Sequence, residues 1–349
     1  MRQDISSRPV PHQRFSRFYT EYRLFAVMLL FIAVYAFAVD TPSAIFNGLG
    51  DIITSRSLLI TDYMLVGGVG AMLMNGVLVG ALSLAFITAI GVKPNGSTIM
   101  ALWMTVGFSF FGKNVFNLVP LMAGVLLYAK VRKDPIINYS LSALLVATLS
   151  PVVSEIAFGF SYSNPLIGIA LSAVAGIATG FLFPMVSAFT VRVHEGYVLY
   201  NMGFAGGILS MLIIAVFKAF GVSIETVQLW GEGYDVQMAV LLYILSATLI
   251  VAGLVLGKNR DHKDGLRRIL KSSGRLVSDY YSLYGETSYI NMGILGILIT
   301  TVALAFGMSI NGPTMGGILT IVAFGCFGNH PKNVLPVMAG AVLATYANV

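Results

Sequence analysis

Apolar positions are gathered into long blocks separated by short polar stretches, and the blocks predict helices. They fall at about 24–39, 64–92, 97–111, 115–129, 141–160, 164–189, 197–220, 236–257, 289–310 and 314–347. A helix needs roughly 20 apolar residues to cross a bilayer. The stretch 97–129 does not fit one crossing, because as a single helix it would be about 50 Å long. Its centre reads Phe111-Gly112-Lys113-Asn114-Val115-Phe116-Asn117, a poor continuous helix. The pattern predicts two half-helices joined by a polar tip, a hairpin dipping into the membrane; two short full spans are the alternative. Ser150-Pro151 breaks the run 141–160 and predicts another half-crossing. Residues 40–62 predict an interfacial loop with a short amphipathic helix. In the linker 258–286, Leu266, Ile269 and Leu270 share one face among basic residues and predict a surface helix.

Composition sharpens this into a class. Hydrophobic residues make up 57% of the 349 and charged residues 10%, against roughly 25% charged in soluble domains. That excludes a soluble enzyme, a disordered chain and a disulfide-rich module, and predicts an all-α polytopic protein in a lipid bilayer. Cys326 is the single cysteine, so the chain has no internal disulfide. The net charge of +6 does not predict nucleic-acid binding, because 12 of the 21 Lys and Arg residues lie in two segments. Arg2, Arg8, Arg14, Arg17 and Arg23 precede the first apolar run; Lys258, Arg260, Lys263, Arg267, Arg268, Lys271 and Arg275 fill the linker. Basic clusters beside apolar segments mark cytoplasmic loops, whereas residues 221–235, with Glu225, Glu232 and Asp235, read as external. Leu24–Ala38 reads as an uncleaved first helix rather than a signal peptide. The organisation is a basic cytoplasmic segment 1–23, a first helix plus first repeat 24–257, the linker 258–286 and a second repeat from 287 to 349.

The repeat is visible without gaps. Residues 95–127 match 311–343 at 13 of 33 positions, against about three expected from biased apolar composition. Asn95-Gly96 returns as Asn311-Gly312, Phe111-Gly112 as Phe327-Gly328, Asn117 as Asn333 and Pro120 as Pro336. With a four-residue shift, Leu84-Ala85-Phe86 also matches Leu304-Ala305-Phe306. If Lys93, Lys130-Arg132-Lys133 and the linker are all cytoplasmic, the second copy starts from the opposite side, which predicts inverted-topology repeats. Some 90 residues follow Leu127 in the first copy but only six follow Leu343, so the second repeat is expected to be truncated.

Four strings carry a resemblance: Phe110-Phe111-Gly112-Lys113-Asn114-Val115-Phe116-Asn117, Ser150-Pro151-Val152-Val153-Ser154-Glu155-Ile156-Ala157-Phe158-Gly159, Glu195-Gly196-Tyr197-Val198-Leu199-Tyr200-Asn201-Met202-Gly203-Phe204 and Gly328-Asn329-His330-Pro331-Lys332-Asn333. Over about residues 24–349 the chain resembles the domain-of-unknown-function 1576 family of bacterial integral membrane proteins. That implies a multi-pass protein of the bacterial cytoplasmic membrane with a cytoplasmic N-terminus, and it implies no activity.

Candidate chemistry gathers at the tips. Asn117 is expected to cap the half-helix that follows, with Pro120 in its first turn, and Asn333 and Pro336 to repeat this. Two helix N-termini approaching a shared point from opposite leaflets would offer free N–H groups and partial positive charge. The predicted solute site comprises Gly112, Lys113, Asn114, Asn117, Gly328, Asn329, His330, Lys332 and Asn333, and its positive field favours a small polar or anionic solute. Glu155 is a candidate for proton or ion coupling, or the salt-bridge partner of a tip lysine. His194 and Glu195 are further relay candidates, or interfacial residues beside Arg192. Asn201, Gly203, Gly206 and Gly207 suggest close helix packing or a kink. No metal-binding, nucleotide-binding or protease motif stands out, and no cofactor is expected. A transporter or channel is the leading reading; a membrane enzyme using Glu155 and the His/Glu residues, or a non-catalytic structural subunit, stands behind it, and a homo-oligomer is a candidate assembly under each.

Overall fold

Short polar side chains set the helix starts. In the computed structural model, which describes residues 19–57, 60–222, 224, 228–273 and 277–346, the side chains of Thr41, Asp62, Asn95, Asn114, Asn164, Asp261, Asp279 and Asn311 each accept a backbone N–H from the first turn of the helix they precede. Proline occupies the start of three helices, at Pro42, Pro165 and Pro331, where its missing N–H costs little.

The helices in order are α1 (Thr20–Val39), α2 (Pro42–Thr54), α3 (Tyr63–Gly67), α4 (Val69–Ala89), α5 (Gly96–Phe108), α6 (Val115–Arg132), α7 (Ser140–Leu145), α8 (Ser150–Phe158), α9 (Pro165–His194), α10 (Asn201–Ala219), α11 (Asp235–Leu256), α12 (His262–Ile269), α13 (Tyr280–Tyr284), α14 (Thr287–Ala305), α15 (Gly312–Ala323) and α16 (Pro331–Tyr346). No strand occurs among the described residues. Among the described residues eight segments are long and apolar enough to cross a membrane, and the molecule is a polytopic helical membrane protein. Most of the basic segment 1–23, together with Glu225 and Arg275, lies outside the described residues.

Two expectations change. The segment 136–158 is not a half-crossing: 3₁₀ turns at Ile136–Tyr139 and Val146–Leu149 carry the chain through α7 and α8 as one span of 23 residues, and Pro151 sits in the first turn of α8, where it breaks nothing. The stretch 97–129 is not two half-helices either. α5 is short, at 13 residues, but α6 has 18 and qualifies as a span. The amphipathic helix expected in 40–62 is α2, which buries Ile45, Gly48, Leu49 and Ile52. The linker helix is α12, which buries Gly265 and Ile269.

The same backbone arrangement occurs twice, 216 positions apart. Asn75 Nδ2 on α4 donates to the carbonyls of Ser109 and Lys113 at 2.6 and 2.7 Å, and Asn291 Nδ2 on α14 donates to those of Gly325 and Asn329 at 2.7 and 2.8 Å. Gly91 (φ 74°) and Gly307 (φ 66°) turn the chain after α4 and α14, with matching bonds from Val92 N to Ile87 O and from Met308 N to Ala303 O. The correspondence is gap-free back to Asn75. The four-residue shift that paired 84–86 with 304–306 is therefore not the structural register.

α5 and α15 pack side by side and run antiparallel. Gly96, at the start of α5, lies against the Cys326 carbonyl past the end of α15; Gly312, at the start of α15, lies against the Phe110 carbonyl past the end of α5. Two carboxylates clamp these starts reciprocally. Asp62 accepts the Gly312 N–H at 3.2 Å, and Asp279 accepts the Gly96 N–H at 3.0 and 3.1 Å. The two tips thus sit at opposite ends of a helix pair about 20 Å long. They do not converge on one point, because antiparallel packing places the end of each short helix at the start of the other.

Candidate functional site

Each tip is a short break after a helix, held by side-chain bonds to main chain. In the first, Gly112 (φ 68°) supplies a left-handed turn that a larger residue would resist. Asn114 and Asn117 then form a reciprocal box: Asn117 N donates to Asn114 Oδ1 at 3.0 Å, and Asn114 N donates to Asn117 Oδ1 at 2.9 Å. The cap is therefore Asn114, three residues before the expected Asn117, and Pro120 lies inside α6 beyond its first turn. Asn117 Nδ2 also donates to the Gly112 carbonyl at 3.1 Å and to Ser154 Oγ at 2.9 Å. Asn114 Nδ2 reaches Tyr63 Oη and the Ile52 carbonyl, both at 3.2 Å.

The second tip repeats the backbone and changes the side chains. Gly328 has φ 119°, His330 N donates to Asn333 Oδ1 at 2.9 Å, and Asn333 Nδ2 donates to the Gly328 carbonyl at 2.9 Å. Position by position, Lys113 is replaced by Asn329 and Asn114 by His330. Asn329 bonds Tyr200 Oη at 3.3 Å, and His330 Nε2 lies 3.1 Å from the Ser272 carbonyl. Tyr280 Oη approaches the Gly328 carbonyl at 3.1 Å and Ser272 Oγ at 2.9 Å. Burial raises the pKa of this phenol above its ordinary value, so it keeps its proton and can donate. Lys332 is exposed on α16 and takes no part in the tip.

Lys113 is the anomaly. It is 2% exposed. Among the described residues nothing accepts a hydrogen bond from its Nζ, and the ammonium lies 4.9 Å from the centroid of the Phe108 ring. It borders a half-open pocket of about 240 Å³ lined by Phe108 at the end of α5, Phe111 and Gly112 of the tip, Ala147, Thr148 and Pro151 at the entry to α8, and Gly203, Gly206, Gly207 and Ser210 of α10. Of the three α10 glycines, Gly206 serves close packing, since a Cβ there would fall 2.9 Å from Thr148 Oγ1, whereas one at Gly203 or Gly207 would meet nothing within 4 Å. Their missing side chains form one wall of the cavity. Ser150 Oγ, just before Pro151, is also buried without a hydrogen-bond partner.

α10 connects the two tips along its length. Tyr200, just before it, stacks edge-on against Phe324 at 4.6 Å between ring centroids and touches Asn329. Ser210, about 15 Å further along, lines the cavity at the first tip. The remaining predicted residues stand apart. Glu155 is buried but ion-paired to Arg56 at 2.8 Å, not to a tip lysine, because α8 presents it to the loop after α2. His194 Nε2 lies 2.7 Å from Asn201 Oδ1, and its Nδ1 accepts from Gly196 and Val198 N–H in the α9–α10 turn. Glu195 is exposed in that turn with φ 52°. Glu155, His194 and Glu195 thus form no common constellation. Sequence reasoning missed Asn75 and Asn291, the side chains that dock the tips. Their equal offset of 216 was the available signal.

The sequence model of the family described as protein of unknown function (DUF1576) matches residues 41–219 and 258–349. The chain belongs to this family. The match covers both tips, α10 and every residue lining the cavity. No curated protein and no solved structure matches the chain.

Proposed function

We propose that this DUF1576 protein moves a small anionic solute across the membrane and that the solute rests beside Lys113. The observation that carries this reading is the buried Lys113 side chain, whose Nζ has no hydrogen-bond partner among the described residues, at the rim of a half-open pocket of about 240 Å³ beside α10. A lysine within a bilayer costs about 2.5–3.5 kcal/mol on insertion scales, and such residues mark solute pathways when no carboxylate claims them. Gly112 and Lys113 would meet the solute directly, while Asn114 and Asn117 hold the tip that presents them. Gly328, Asn329, His330 and Asn333 would serve as the matching hinge at the other end, reached through α10.

The paired tips support inverted-topology repeats, the arrangement in which one copy rocks against the other in transporters. In that scheme the Asp62 end of the bundle faces outward. The Asp279 end, beside the basic linker, faces the cytoplasm. The site then lies about 10 Å to the outer side of the midplane, rather than midway between the tips.

The test is flux. The full chain reconstituted in liposomes should take up anions from a panel of small solutes, and Lys113→Met should reduce uptake at least tenfold. Lys332→Met, on the exposed lysine of α16, should leave it unchanged. Uptake that survives Lys113→Met would overturn the reading.

A further inference from the structure

The cavity walls say more about the solute than its sign. Lys113 is the one ionisable residue among the described residues that line the pocket, so the site, with this lysine protonated, can neutralise a single negative charge. A second negative charge would find no compensating group in the pocket wall, and wherever it left water that lack would favour neutralisation or exclusion. The rest of the lining is mostly apolar: the Phe108 and Phe111 rings, Ala147, Pro151 and the glycine face of α10. A bare halide would satisfy the ammonium and leave this surface against water.

Hydroxyls add a little polarity. Thr148 Oγ1 already donates to the Leu145 carbonyl at 3.0 Å, so it offers a ligand only its lone pairs, whereas Ser210 Oγ on the opposite wall can donate. The pocket, about 240 Å³ and open on one side, has room for a small organic ion, on the order of ten non-hydrogen atoms.

We infer that the site takes a singly charged organic anion with a compact apolar body, in the chemical class of a monocarboxylate, its carboxylate on Lys113 and its body between the two phenylalanine rings and the α10 glycines. This narrows the anion-site reading above and rests on it.

The purified full chain is heated with acetate, butyrate, benzoate, benzamide, succinate, phosphate or chloride, since a ligand that binds the native state raises its unfolding temperature. Benzoate and butyrate should raise it more than acetate, and succinate, phosphate, chloride and benzamide should not. Lys113→Met should weaken benzoate binding at least about tenfold, equivalent to 1.4 kcal/mol. Gly207→Leu, which fills the wall where a side chain meets no neighbour, should abolish the benzoate shift and spare that of acetate. A larger shift with succinate, phosphate or chloride would overturn the monocarboxylate inference and leave an anion site standing. An equal shift with benzamide, or one that survives Lys113→Met, would overturn both, as would the absence of a shift with every solute.

Discussion

Lys113 and Asn329 occupy equivalent places on equivalent loops, and their difference is the asymmetry on which function turns. Both backbone carbonyls are tied to an asparagine four helical turns or so before the end of the preceding long helix, Asn75 or Asn291. Asn329 then spends its side chain on Tyr200, while Lys113 is left facing open volume. A buried polar group without a partner costs about 1–3 kcal/mol in folded proteins. Lys113→Met keeps the length of the side chain and removes that cost, so the ligand-free variant should be more stable by about that amount even though it no longer handles anions. Thermal unfolding in one detergent, without added organic anion, measures this; a less stable variant would mean that Lys113 has a structural partner. Lys113 was legible in the sequence because a charge inside an apolar stretch is conspicuous. Asn75 was not, since a neutral amide among apolar residues carries no sign of the two carbonyls, 34 and 38 positions away, that it joins.

Glycines show how little residue type says about the work an element does. On α9, Gly180 lets α6 approach so closely that a Cβ would fall 2.0 Å from the Leu121 carbonyl, and on α6 Gly124 would meet the Ile177 carbonyl at 2.2 Å. These serve small-residue packing between membrane helices. On α10, Gly203 and Gly207 face empty space. The sequence shows the same letter in both helices, and the close packing expected of the α10 glycines fails at Gly203 and Gly207, because what matters is whether a second helix lies opposite. Gly180→Leu should therefore prevent α6 and α9 from seating and lower the unfolding temperature sharply, by a free energy well above the 1–3 kcal/mol typical of overpacking, since backbone cannot move aside. Gly207→Leu should unfold close to the parent chain. Unfolding temperatures measured side by side test the contrast, and equal losses would refute the assignment of α10 as a cavity wall. The polar tips were also read correctly as breaks, but their depth was not. Asn-x-x-Asn fixes a cap locally, whereas the long span of α6 emerges only once the helix is seen to run on to Arg132.

At the scale of the molecule, the crossed pair α5 and α15 explains why the expected meeting of the tips does not occur. Opposite directions bring two breaks together only when the helices before them stop halfway, and α5, with 13 residues, extends about 20 Å, two-thirds of a 30 Å hydrocarbon layer. Each short helix instead passes the other and is caught at its start by a carboxylate from outside the matching segments, Asp62 or Asp279. The sequence carried the duplication but not this crossing, because the clamps are made by residues outside the matching segments. The arrangement makes a strict demand on sidedness. Asp62 also accepts the Gly231 N–H at 2.9 Å, which ties the loop before α11 to the Asp62 end. α11 crosses once between that loop and α12, and α4 crosses once between α3 and the turn holding Lys93. Cysteines placed at Glu232, Lys93 and Lys263, all exposed, should therefore divide unequally: the one at 232 on one face, those at 93 and 263 together on the other. Cys326 is fully buried and stays silent in such labelling. An impermeant maleimide applied to sealed, oriented vesicles and then to opened ones should modify 232 alone in the first step or 93 and 263 alone, never 93 without 263. Labelling of 93 and 232 from the same face would show that the two copies share one orientation, and the exchange of clamps between the ends of the bundle would have no basis.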